Sequence, residues 1–193
     1  GIKPTPTIGG VGLVTDYKKI ITMDLKNINN LILVVGKTEG HIEQSIFARN
    51  ILNEKKGPPP EINLFNEKNN GETILKLINE KLIKSTHDVS LGGIITAVSK
   101  MAIKGKKGFK LIKPKVLTSK FHYYFGEDQG RYIIEIEPNN LSKVQKILKE
   151  NSVHYDEIGI VTKNEVIVDK EPILHIDDLT KSNKTWLIDY MSK

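Results

Sequence analysis

The sequence contains no cysteine. A disulfide framework, a thiolate metal site and a cysteine nucleophile are therefore excluded. Arginine is almost as scarce. Arg49 and Arg131 are the only two, and the rest of the 29 strong bases are lysine. No apolar run approaches the roughly 20 residues that a membrane helix needs, and Gly1–Gly12 holds no apolar stretch of the signal-peptide kind. No membrane association is expected, and a cytoplasmic address is the default. His41, His122, His154 and His175 lie in unrelated contexts without an HxxxH or HExxH spacing, so no zinc site is assigned. There is no Gly-x-Ser-x-Gly nucleophile turn, no internal repeat and no low-complexity segment.

What remains is an ordinary globular composition. The chain has 193 residues, 38% apolar and 27% charged, which suits one domain with a real core. The formal net charge is +6, and a basic balance raises nucleic-acid binding as one reading. Arginine is the usual choice for bidentate contacts to bases and phosphates, and its scarcity argues against that reading. Apart from the run Lys104, Lys106, Lys107, Lys110, Lys113, Lys115, the lysines are scattered and read as solvated surface.

Strand and helix patterns interleave along the whole chain. Pro4–Val14 reads as an extended segment, because proline and glycine disfavour helix there. It has nothing before it to pair with, which predicts a piece of a longer protein. Leu31–Val35 is a short buried strand between Asn29-Asn30 and Gly36. A helix is predicted over Ser45–Leu52, then a rigid spacer at Gly57-Pro58-Pro59-Pro60, then a helix over Glu72–Lys84. Ile94, Ala97, Val98, Met101 and Ala102 share one helical face, with Gly105 as the stop. Tyr132–Glu137 alternates like a half-buried strand ending at Pro138, and Asn140 is a candidate cap for the helix carrying Leu141, Val144, Ile147 and Leu148. A strand pair broken at Gly159 is expected over Val153–Val161, and a strand over Glu165–Val168. A terminal helix is expected over Lys184–Met191, with Trp186, Leu187 and Tyr190 packed inward. The fold class is α/β or α+β, a mixed sheet covered by helices.

Three segments have the makings of a site. His87-Asp88-Val89-Ser90-Leu91-Gly92-Gly93 places polar groups and two glycines at the entrance of the clearest helix. A helix N-terminus favours an anion. The competing reading is that Ser90 or Asp88 caps the helix and the glycines make a tight turn. Gly36-Lys37-Thr38-Glu39-Gly40 resembles a shortened phosphate loop without its full spacing, and Gln44-Ser45 follows at a helix start. In Phe125–Tyr132, Glu127 and Asp128 either hold a magnesium ion or ligand amine, or form a charged turn closing on Arg131.

In this order, the Pro4–Leu13 segment, Gly40–Ser45, the proline run, His87–Gly93 and Phe125–Tyr132 resemble the phosphoribosylformylglycinamidine synthase large-subunit family. That family lies within the aminoimidazole-ribonucleotide-synthase superfamily. The superfamily also holds aminoimidazole ribonucleotide synthetase, selenophosphate synthetase and thiamine monophosphate kinase, whose equivalent domain is the alternative reading. The proline run followed by Glu67–Gly71, and the Gly126–Tyr132 stretch, point to the formylglycinamidine family over those relatives. The resemblance implies that residues 1–23 end a preceding ATP-binding-type domain and linker, and that 24–193 form the C-terminal domain. It implies a reaction in which ATP, with Mg2+, phosphorylates the amide oxygen of formylglycinamide ribonucleotide and glutamine-derived ammonia displaces the phosphate. It implies as partners the N-terminal portion of the same enzyme, a glutaminase subunit and a small accessory subunit. Carried over by motif, Gln44, Ser45, His87, Asp88, Ser90, Gly92 and Gly93 are the expected substrate-binding residues. Two departures stand out: Glu43 replaces a common glycine, and Leu91 replaces the second aspartate of the family's His-Asp-x-Ser-Asp-Gly-Gly motif. The resemblance assigns no catalytic residue and no metal ligand here, and no tightly bound cofactor is expected of the chain alone.

Overall fold

The computed structural model describes residues 7–115 and 119–192. Of the first extended segment, Pro4-Thr5-Pro6 therefore lies outside the described residues, and 7–14 run as exposed irregular chain. Seven strands form one mixed sheet. They are β1 (Leu31–Val35), β2 (Ser85–Asp88), β3 (Gly108–Leu111), β4 (Tyr132–Ile136), β5 (Tyr155–Thr162), β6 (Glu165–Val168) and β7 (Glu171–His175), in the order β2-β4-β1-β5-β3-β6-β7. Only the β3–β6 pairing is parallel among these neighbours. Six helices accompany them: α1 (Ile46–Asn50), α2 (Leu64–Asn79), α3 (Gly93–Gly105), α4 (Lys120–Phe125), α5 (Leu141–Glu150) and α6 (Ile176–Met191).

Helices cover both faces of the sheet. Ile32, Val34 and Ile133 join Ile94, Ala97, Val98, Met101 and Ala102 of α3, with Tyr123 and Tyr124 of α4, in one apolar core. Leu33, Val35, Ile134 and Ile136 point the other way, onto Ile74 and Leu77 of α2 and Val144, Ile147 and Leu148 of α5. This is why β1 is an unbroken apolar run: a strand buried on both faces has no solvent side to alternate toward. The predicted face of α3 is buried at all five positions.

Several boundaries differ from the sequence expectation, each for a local reason. α2 starts eight residues before Glu72, because the Asn63 side chain accepts from Asn66 N and caps a helix there. Gly71 sits inside it, facing the Tyr132 hydroxyl. α3 includes Gly105 and is stopped by Lys106, which takes the left-handed conformation at φ 51°. Asn140 stands at the N-cap of α5, as expected, but its side chain makes no capping hydrogen bond. It closes a 3₁₀ turn over Pro138–Asn140, and its amide donates to the Leu82 carbonyl. β4 is not half-buried, since both faces are covered and Glu135 is fully buried. β5 runs unbroken through Gly159, bulging at Ile158 against the step between Ile32 and Leu33. Gly159 is needed because Lys110 of β3 passes against it. α6 begins at Ile176, with Asp178 and His175 forming a capping box. Its C-terminal half is not packed inward: Trp186, Leu187 and Tyr190 are all more than half exposed. The lysine run is divided among the end of α3, the Lys106 cap, β3 and the irregular chain on either side of β3.

Candidate functional site

The three motif segments leave the same edge of the sheet. Val35, at the end of β1, pairs with Tyr132, at the start of β4, and Tyr132 pairs in turn with Asp88, at the end of β2. Antiparallel pairing therefore gathers the loop after β1, the loop before β4 and the loop after β2 side by side. Gly36 begins the first loop at φ 99°, and a Cβ there would stand 2.6 Å from the Gly130 carbonyl. The two loops touch backbone to backbone, so glycine is required.

The central loop, Gly126–Arg131, works as a staple. Arg131 is 1% exposed. Its guanidinium donates to the carbonyls of Asp128 (3.1 Å) and Gly126 (2.7 Å) and to the Thr38 hydroxyl (3.1 Å). Burial pulls its pKa down, while the carboxylates of Asp128 and Glu127 oppose that pull. The buried Asp128 carboxylate accepts from Glu39 N, Gly40 N and His41 N at 3.2, 2.9 and 2.9 Å. The loop that resembles a shortened phosphate loop thus does cradle an anion, and the anion is the protein's own. Glu127 accepts with one oxygen from Ile46 N (2.9 Å) and Gly92 N (2.8 Å). Of the two readings of this stretch, the charged turn is the one formed. Both carboxylates accept from backbone N–H groups, Glu127 through one of its two oxygens. Among the described residues no group of three or more His, Asp or Glu could hold a metal ion.

The expected substrate-binding residues fall in two turns beside this staple. Gln44 is left-handed at φ 61°, and its amide donates to the carbonyls of Lys55 (3.1 Å) and Gly57 (3.0 Å), tying down the strand of chain that enters the proline run. Ser45 is fully buried, and its hydroxyl caps α1 by accepting from Ala48 N at 3.0 Å. Glu43 packs against Gly57 and lies 3.6 Å from the His41 ring. In the second turn neither Ser90 nor Asp88 caps α3. Gly92 does so at φ 84°, and Gly93 follows at φ 70°. A Cβ on Gly93 would meet the Tyr124 and Gly126 carbonyls at 2.6 and 2.7 Å. The tight-turn reading of the two glycines therefore describes them.

Of the expected residues in the second turn, Asp88 faces solvent, whereas the His87 side chain is 15% exposed. His87 Nδ1 lies 2.9 Å from Asp88 Oδ1. Partial burial pushes the Asp88 pKa up, but the His87 hydrogen bond and charge, the backbone and the Ser90 hydroxyl together hold it below the ordinary carboxylate value. Asp88 is thus an ionised acceptor at neutral pH. Ser90 is exposed, and Leu91 is 61% exposed. The arrangement can accept from hydroxyl or amide donors of a ligand.

A separate polar cleft of about 610 Å³ lies on the far side of the Gly36–His41 loop, between Pro58–Pro60 and the first turns of α2. None of the expected substrate-binding residues lines it. Its carboxylates include Asp128, already bound, and Glu39, paired with Lys37. Sequence reasoning missed the connecting roles of Glu127, Asp128 and Arg131, because their partners are backbone groups far away in the chain. The one available signal was their clustering next to a glycine.

Residues 27–170 match the family described as AIR synthase related protein, C-terminal domain. The chain is 66% identical over 191 residues to the phosphoribosylformylglycinamidine synthase subunit PurL of Pelagibacter ubique, covering 99% of this chain and 26% of that one. It is 37% identical over 194 residues to the same subunit of Bartonella henselae, covering 100% and 26%. The chain thus spans about a quarter of the length of the curated relatives it matches. Among solved structures, Thermotoga maritima PurL complexed with FGAR superposes with a TM-score of 0.70 at 17% identity, covering 85% of this chain and 30% of that one. The same protein complexed with ATP gives 0.64 at 16%, covering 85% and 28%. Thiamine-monophosphate kinase from Stenotrophomonas maltophilia gives 0.56 at 13%, covering 79% and 54%. At these identities the solved structures establish the fold alone. With the family match spanning most of the chain and the mixed sheet in place, the protein belongs to the AIR synthase related family, as its C-terminal domain.

Proposed function

We propose that this chain serves as the C-terminal domain of a phosphoribosylformylglycinamidine synthase large subunit. That enzyme is an ATP-dependent ligase of purine biosynthesis. It converts formylglycinamide ribonucleotide and glutamine-derived ammonia to the amidine. The observation that carries the proposal is the 66% identity to a PurL subunit along 191 residues. Similarity to thiamine-monophosphate kinase, by contrast, rests on structure at 13% identity.

In this reading His87, Asp88 and Ser90 present the groups that meet substrate. Gln44, Ser45, Gly92 and Gly93 shape the two turns that hold them. The Asp88 carboxylate accepts from a donor on the ribonucleotide, and Ser90 both donates and accepts. ATP and Mg2+ act in the full enzyme on residues outside this chain. The N-terminal portion of the enzyme is the partner across the edge, and a glutaminase subunit and a small accessory subunit supply ammonia. The working compartment is the cytoplasm; no described helix is long and apolar enough to cross a membrane. Amide hydrogen exchange on the full-length enzyme tests the reading. Formylglycinamide ribonucleotide should slow exchange across residues 87–93. Protection confined to segments away from 87–93 and 44–45 contradicts it.

A further inference from the structure

We infer that Glu127 is a positioning residue for the substrate-facing edge, its one carboxylate oxygen fixing the separation of the Gln44–Ser45 turn from the Gly92–Gly93 turn. The inference rests on the function proposed above. The shared acceptor joins Ile46 N at 2.9 Å to Gly92 N at 2.8 Å. These groups lie 81 and 35 residues from Glu127 in sequence. Among the described residues no backbone hydrogen bond runs directly between 40–46 and 87–93, so the carboxylate is the polar link between them.

Glu127 is itself held firmly. Its N–H donates to the His41 carbonyl at 2.8 Å, and the neighbouring Asp128 and Arg131 lock the loop on both sides. The first turn needs holding, because Gln44 is left-handed at φ 61°, and such backbone in a residue other than glycine persists only when its surroundings fix it. The link lies outside both apolar cores, so its main effect is on where the exposed Asp88 and Ser90 stand. A carboxylate on two N–H groups also leaves them no capacity for an incoming anion. Substrate must then be met by side chains, whose placement depends on the link. A shift of about 1 Å in such groups is enough to lower productive binding by orders of magnitude.

Steady-state kinetics on the full-length synthase test this. E127A removes the acceptor. KM for formylglycinamide ribonucleotide should rise about tenfold or more while kcat changes by less than about threefold, the pattern of lost binding geometry. E127Q keeps an acceptor oxygen without the charge and should recover part of that loss. Unchanged KM in a folded E127A enzyme overturns the inference. So does an equal loss in E127A and E127Q that merely tracks the folded fraction. If E127A does not fold, E127D replaces it: its carboxylate stops one methylene short, so its KM should exceed that of E127Q, and equal values overturn the inference. D88A and S90A keep the two claims separate. If neither moves KM, the functional reading of this edge fails. If they raise KM and E127A does not, only the role of Glu127 fails.

Discussion

Glu135 shows how much organisation one side chain can carry. It is fully buried in β4, and its carboxylate accepts from Lys26 N, Asn27 N, the Asn30 amide and the Ser85 hydroxyl at 2.7–3.1 Å. It thereby fastens the 24–30 segment over the sheet. A buried carboxylate is tolerable only when its oxygens are satisfied in this way. Glu135→Ala leaves four donor groups without an acceptor and should destabilise the chain by about 3 kcal/mol or more, read as a fall in urea midpoint. Loss of under about 1 kcal/mol would mean water replaces the carboxylate. Glu127, Asp128 and Glu135 share one property that hid their partners in the sequence. Those partners are wholly, or for Glu135 partly, backbone N–H groups, which every residue carries, so no residue pattern marks them. The turn carrying Asp88 and Ser90 was legible as a turn, because two glycines stand there at the head of a strongly patterned helix.

Elements were legible in proportion to how one-sided their burial is. α3 buries a single face, and Ile94, Ala97, Val98, Met101 and Ala102 mark it without ambiguity. Val98 is fully buried against the sheet. Val98→Asp puts an unpaired charge there and should cost more than about 3 kcal/mol, seen as a chain that unfolds or loses most of its melting temperature. A soluble variant with an unchanged melting curve would contradict the packing. α2 was half legible. Its buried contacts begin near Asn70 and Thr73, whereas Leu64 and Phe65 in its first turn are exposed, so periodicity starts later than the helix does. α6 misled for the opposite reason. Trp186, Leu187 and Tyr190 look like core by type but face solvent, while the buried anchor is Ile176 at the other end. β3, β7 and α4, of four, five and six residues, were not among the expected elements.

At the scale of the whole molecule, the sheet order explains why distant motifs form one edge. β1 lies between β4 and β5, and β4 between β1 and β2, so the loops bearing Gln44, Glu127 and Ser90 emerge together. The mixed, helix-covered architecture was readable from interleaved patterns; the strand order was not, because it depends on pairings that skip along the chain. The edge so built carries exposed acceptors on tight turns. Under the proposed function, the domain presents substrate-facing groups to chemistry completed elsewhere. Phosphate release from ATP, with formylglycinamide ribonucleotide and ammonia present, tests this most directly when measured for this chain alone, for the remaining N-terminal portion of the enzyme alone, and for the two mixed. The account predicts background release from each piece and ATP-dependent turnover from the mixture. Turnover by this chain alone, or full turnover by the N-terminal portion without it, would contradict it.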